Sequence, residues 1–320
     1  MRTELIGRAP LPTRVVGPAA GGWWAQLGAD LVLLDPALTR VARVPIGTEW
    51  TASHAVDNDL GAVAVSDRDA VRVIAADGSP LWSFPHEPCS SQGSCSFSAD
   101  GRWVFATMPE TWALSSEYED VGPGGDGEDE YGEQLCAFDA RTGQVARWWR
   151  LAVEESLGSL LHPHPSGAVM IDVGEGQEGS HIFHADVSAG LVKLPGTDRA
   201  LAGLNPAGTA FLSWPRDGTG LVVHAYPDGN PLIVGPGLPD GEWYGPSAGY
   251  LGDELIFAET VARDWSRRRD LIITAGDLQP LEPVEYPASA PPVVETLAVG
   301  VGGTWLITTG TELLAWRLAR

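Results

Sequence analysis

Residues Leu135 to Leu151 read LCAFDARTGQVARWWRL, two β-strands joined by a tight turn. Leu135, Ala137 and Asp139 alternate with Cys136 and Phe138, and both sets are largely apolar. That is the pattern of a strand packed between layers. Asp139 can accept backbone N–H groups from the residues after it, and Gly143 can take the positive φ that closes the turn. Val145 to Leu151 then returns as a second strand.

The same arrangement recurs along the chain. Gly22 leads WWAQL, Leu60 leads GAVAVSD, Gly101 leads RWVFATM and Gly167 leads AVMIDV. Gly208 leads TAFLSW, Asp253 leads ELIFAET and Gly303 leads TWLITTG. All but one of the intervals lie near the ~40–50-residue period of a propeller blade. The long interval, Gly101 to Gly167, holds an acidic insert at residues 113–134. Each match has an apolar strand before it and another after it, and most are followed by a turn and a fourth strand, as in AADGSPLWSF and YPDGNPLIV. The expected fold is an all-β, seven-bladed β-propeller of four-stranded antiparallel blades, in a single domain over residues 1–320. Six or eight blades follow if the first repeat or the insert is read differently. The seventh repeat stops after its third strand. Thr3 to Leu11 (TELIGRAPL) is expected to supply the missing outer strand by pairing with Leu313 to Leu318, which leaves no open sheet edge there.

Composition narrows the function classes. The net charge of −22 argues against nucleic acid and against anionic membrane surfaces, since both need a basic footprint. Among 20 basic residues only Lys193 is lysine, a bias that suggests a G+C-rich bacterial source. No run of about 18 apolar residues occurs and the N-terminus has no signal-peptide pattern, so a cytoplasmic protein is expected. Three cysteines are too few for a disulfide framework. Cys89 and Cys95 bracket PCSSQGSC and are expected as reduced thiols, bridged only on meeting an oxidant.

SCSFSADGRWVFATM resembles the strand pair of bacterial WD-repeat-like propellers, and AVSDRDAVRVIAADG is similar to their third strand with its preceding loop. AFDARTGQVARWW resembles a quinoprotein-type blade, with Ala137, Asp139 and Gly143 in register. Gln144 stands where that family has lysine, and the tryptophan arrives one residue late, at Trp148. The resemblance implies a propeller, a fold that serves many unrelated functions.

Candidate chemistry is sparse. His162 and His164 are spaced to face the same way on an extended segment and so invite a metal reading. Aligning Gly167 with Gly101 and Gly208 instead puts His164 opposite Ser98 and Asn205, at a polar position of a repeating turn, and that reading is preferred. His181 and His184 point to opposite faces of one strand. The insert carries Glu117, Glu119, Asp120, Asp126, Glu128, Asp129, Glu130 and Glu133, but without EF-hand spacing. It reads as a solvated loop, with partner binding or calcium binding as the alternatives. Trp148 and Trp149 between Arg147 and Arg150 are expected to pack rather than to stack on bases. SADGRW matches a sialidase Asp-box only loosely, and no G-x-S-x-G, Walker loop, Cys–His zinc spacing or H-E-x-x-H is present. No cofactor or metal is expected.

One arrangement survives. In a propeller the loops joining strands two to three, and strand four to the next blade, share one end. Trp112, Trp214 and Trp265 fall on the former; Trp50, Trp243 and Tyr244 fall on the latter. Arg216, Arg263, Arg267, Arg268 and Arg269 share that end. Loop tryptophans can simply cover blade ends, but exposed Trp and Arg dominate interfaces. The expectation is a non-catalytic, monomeric binding scaffold that recognises a protein or a small acidic ligand at its long-loop face. The alternatives are a propeller-type hydrolase or lyase with a site at the mouth of the central channel, and a structural subunit with no ligand.

Overall fold

The computed structural model describes every residue except 12, 14–15, 20, 48–52, 58, 60, 87, 89–92, 110–132, 154–157, 175–178, 196–198, 216–219, 239–240, 263–266, 288–294 and 320. Seven four-stranded antiparallel sheets follow one another along the chain as the blades of a seven-bladed β-propeller. Blades one to six span residues 16–45, 53–85, 95–151, 159–193, 199–234 and 242–283. Blade seven takes its three inner strands from residues 295–318 and its outer strand from Thr3–Ala9. The only helical segment among the described residues is a 3-10 turn at Val301–Gly303, and no helix is long and apolar enough to cross a membrane.

The closing strand pairs as its sequence suggested. Thr3 lies opposite Leu318 and Ala9 opposite Leu313, with a register shift between Leu5 and Gly7. Ile6, Ala9 and Leu11 pack against Trp23, Leu34, Leu306 and Leu313. Gly7 is glycine because a Cβ there would sit 2.2 Å from the Ala37 carbonyl oxygen.

Contacts divide the chain into two compact units, Met1–Arg43 with Arg199–Arg320, and Val44–Asp198. In each the core lies between successive blades. Phe105, Leu135, Trp149, Val173 and Phe183 fill the space between blades three and four of the second unit. Phe257, Ile272, Trp305, Leu314 and Trp316 do so between blades six and seven of the first. Cys95 and Cys136 are buried and unbridged, and burial pushes the Cys95 thiol up to about 12. Cys89 lies outside the described residues.

The turns confirm the polar positions inferred from spacing. Gly101, Gly167 and Gly208 each donate an N–H to the carbonyl three residues back, on Ser98, His164 and Asn205. His164 Nδ1 accepts the Ser166 N–H at 3.1 Å. Its imidazole thus works as a turn acceptor, as the hydroxyl of Ser98 does for Trp103. Burial pushes His162, on the adjoining strand, down to about 4. Asp139 Oδ1 accepts from Arg141 N, Thr142 N and Thr142 Oγ1, and those bonds hold its carboxyl below the usual range.

Gly143, at φ 69°, lies flat beneath the Trp82 ring of blade two, where a Cβ would come within 2.7 Å of the indole. Trp82 Nε1 also donates to Ala140 O at 2.9 Å. The late tryptophan of blade three behaves differently. Trp148 joins the core shared with blade two, and Trp149 takes the face toward blade four. One extra residue reverses the side to which a strand residue points. Trp148 Nε1 is buried and has no hydrogen-bond partner among the described residues. The strand after the insert begins at Glu133, two residues earlier than Leu135, and both Glu133 and Gln134 are buried, so the insert ends before residue 133. Residues 113–132 of it lie outside the described residues.

Candidate functional site

Blade six of the first unit carries most of the described candidate residues. Its strands Glu242–Tyr250, Leu255–Ala262 and Arg268–Thr274 are paired so that Tyr244, Thr260 and Arg269 form one row and Trp243, Val261 and Arg268 the next. Side chains alternate across a sheet, so neighbouring rows face opposite blades. Ala262 N donates to Arg267 O at 2.8 Å and closes the hairpin above them.

The face toward blade seven is a buried charge network. Arg268 pairs with Glu259 at 2.6 Å and with Asp270 at 3.1 Å. The Tyr286 hydroxyl donates to the other Asp270 oxygen at 2.6 Å and accepts the Trp305 Nε1–H at 3.0 Å. Burial, reinforced by the Asp270 carboxylate, pushes the Tyr286 hydroxyl pKa far up. Gly245 makes room for this cluster, since a Cβ there would lie 2.9 Å from Glu259 Cγ.

The face toward blade five pairs an apolar interior with exposed arginine at its loop end. Tyr244 is buried with Leu212, Val223 and Tyr250, and Trp214 packs half-buried against the same group. Burial raises the Tyr244 hydroxyl pKa. Arg269 meets Glu242 at 3.4 Å, with 48% of its side chain exposed against 17% for Arg268. Arg267 is exposed. A fork of guanidinium donors suits planar carboxylates.

The predicted residues therefore separate. Trp214, Tyr244 and Arg269 face the seam between blades five and six, and Arg267 is exposed at the hairpin end. Trp243 and Arg268 stand on the other face, where Arg268 serves the fold. Trp112, Arg216, Arg263 and Trp265, and with them Trp50, lie outside the described residues.

The second unit holds a polar cluster that residue spacing did not single out. Ser94 N donates to Thr107 Oγ1 at 2.8 Å, Thr107 and Ser159 share a 2.5 Å hydroxyl contact, and Ser159 Oγ donates to Glu133 at 2.9 Å. Since Ser159 spends its proton on Glu133, Thr107 must donate to Ser159, and all the bonds run one way toward the carboxylate. Gly93 lets the chain pass Thr107 O and Ser66 Oγ, which a Cβ would approach to 2.2 and 2.6 Å. On the other face of blade two, in one row with Val65 and Arg72, His54 is buried, and desolvation pushes it down to about 4 against the opposing pull of Asp67. Ser66, Thr107, Asp172, Ser213, Glu259 and Thr308 are all buried polar residues near the end of a second strand. That recurrence is the signal the sequence offered.

Blade five contains a Ser–His pair. Ser213 Oγ lies 2.8 Å from His224 Nε2, and His224 Nδ1 lies 2.9 Å from Gly229 O. The carbonyl can only accept, so Nδ1 carries the proton and Ser213 donates to Nε2. Phe211 stacks on the imidazole at 4.7 Å, and Ser213 is fully buried, so the pair serves packing. Among the described residues no group of three or more His, Cys, Asp or Glu side chains could hold a metal ion. No protein-family model matches the chain, and none of the curated proteins compared with it matches. The seven-blade arrangement stands, and no match supports a WD-repeat-like or quinoprotein-like assignment.

Proposed function

We propose that this propeller is a non-catalytic binding scaffold that holds an acidic segment of a partner protein at the seam between blades five and six. The supporting observation is the exposure of Arg267 and Arg269 at the loop end of blade six, with Arg269 held only by a 3.4 Å contact to Glu242, on a chain of net charge −22. An arginine without a tight internal partner on so acidic a molecule favours a ligand that brings carboxylates. The remaining negative charge opposes such a ligand only weakly, because at physiological salt charges beyond about 8 Å are screened.

The test is titration of the full chain with a fluorescent ten-residue Asp/Glu peptide at ~0.15 M salt. Replacing Arg267 and Arg269 together by serine should weaken binding at least ~10-fold, about 1.4 kcal/mol, without unfolding the protein. Arg141→Ser, at the opposite end of blade three, should leave binding unchanged. Binding that survives the double replacement but is lost with Arg141→Ser moves the working surface to the short-turn end and overturns the proposal.

A further inference from the structure

Resting on that reading, we propose that Glu242 is an internal stand-in for the ligand's carboxylate: it occupies Arg269 in the free protein and is displaced when an acidic segment binds. Three observations carry this. The first is distance. Arg269 and Glu242 meet at 3.4 Å, whereas a charge-assisted hydrogen bond between guanidinium and carboxylate settles near ~2.7–2.9 Å. The neighbouring Arg268, with two carboxylates at 2.6 and 3.1 Å, shows what a closed arrangement looks like in the same sheet. The second is asymmetry of exposure. The Arg269 side chain is 48% exposed and that of Glu242 only 15%. The arginine therefore keeps donors turned to solvent while the glutamate is held against the blade. The third is reach. Glu242 opens its strand and is paired opposite Ala262, so its carboxylate is fixed to a rigid strand end, whereas Arg269 is long and can turn outward.

A ligand side chain that binds Arg269 with both oxygens gains two short bonds where Glu242 offers one long contact. The displaced Glu242 then opposes the incoming negative charge. Glu242 thus sets a threshold that weakly accepting groups do not pass and that Asp or Glu side chains do. It acts on selectivity while Arg269 supplies the attraction.

The experiment titrates the full chain with a ten-residue polyglutamate peptide, with polyglutamine of the same length as the uncharged control. Glu242→Gln is expected to tighten polyglutamate binding ~3–10-fold. Glu242→Asp, whose shorter arm withdraws from Arg269, should shift it the same way by less. Arg269→Ser should weaken binding at least ~10-fold, and adding Glu242→Gln to it should recover nothing, because the two side chains act through one contact. Glu254→Gln makes the same change in net charge at the other end of blade six and should have no effect, which separates the local contact from the overall field. If wild type binds and Glu242→Gln binds no tighter, or if Glu254→Gln tightens binding equally, the stand-in role is overturned while the recognition seam stands. If neither wild type nor Glu242→Gln binds polyglutamate, the recognition reading fails and takes the stand-in with it.

Discussion

Two buried polar clusters, one in each compact unit, are built by different means. The first uses opposite charges, with Arg268 between Glu259 and Asp270, and Tyr286 and Trp305 completing the hydrogen bonds. The second uses hydroxyls in series, Thr107 and Ser159 leading to Glu133, while His54 is buried separately on the other face of blade two. A hydroxyl can donate or accept, so a series of them tolerates some rearrangement. A guanidinium only donates and a carboxylate only accepts, so a charge network fails when one partner is lost. Charge gives the first unit a strong but brittle arrangement, and hydroxyls give the second a weaker and more forgiving one.

Removing the central cation is the harshest way to break the contrast. Arg268→Ser leaves Glu259 and Asp270 buried without it and should cost about 3–5 kcal/mol, read by denaturant unfolding. A loss below ~1 kcal/mol would mean that other groups compensate the carboxylates and that the network is not brittle. Acid is the next probe, and it falls on the second unit. His54 is held neutral at about 4, against about 6.5 in an unfolded chain. Its contribution is present above pH ~6.5 and is lost as the pH falls toward 4, because only the unfolded chain gains the proton. About 3 kcal/mol is at stake, and melting curves of wild type and His54→Leu should diverge over that window. Parallel curves would show that His54 is solvated. The smallest effect is expected at the hydroxyls. Thr107→Val removes an acceptor from the Ser94 N–H and a donor from Ser159, for about 1–2 kcal/mol. A cost equal to that of Arg268→Ser would abolish the distinction.

The blades were legible because each repeat combines two local signals, a turn residue at a fixed place and an apolar run of strand length. The closing strand was legible because a missing fourth strand leaves an edge that something must cover. The sides of the strands were harder to read. In Arg267–Arg269 alternation says that Arg268 opposes its neighbours and shares a face with Asp270, but not that this face is buried, because Glu259 reaches it only through strand pairing. Trp148 was visibly one residue late, yet the consequence depended on which blade each face meets. The Thr107–Ser159 contact joins residues of different blades, and small hydroxyl residues in strands give no pattern that separates buried from exposed positions.

The outer strand of blade seven carries a kinetic consequence. Thr3–Ala9 is made about 310 residues ahead of its partner Leu313–Leu318. At a synthesis rate of ~5–20 residues per second the early strand waits on the order of 15–60 s before its ladder can form. Throughout that time Ile6, Ala9 and Leu11 lack the cover of Leu306 and Leu313, and Leu5 and Gly7 have unpaired backbone groups. The mixture of charge and apolar residues in TELIGRA then matters in its own right. Glu4 and Arg8, which later pair with Arg317 and Glu312, keep the waiting strand from offering an uninterrupted apolar edge to a neighbouring nascent chain.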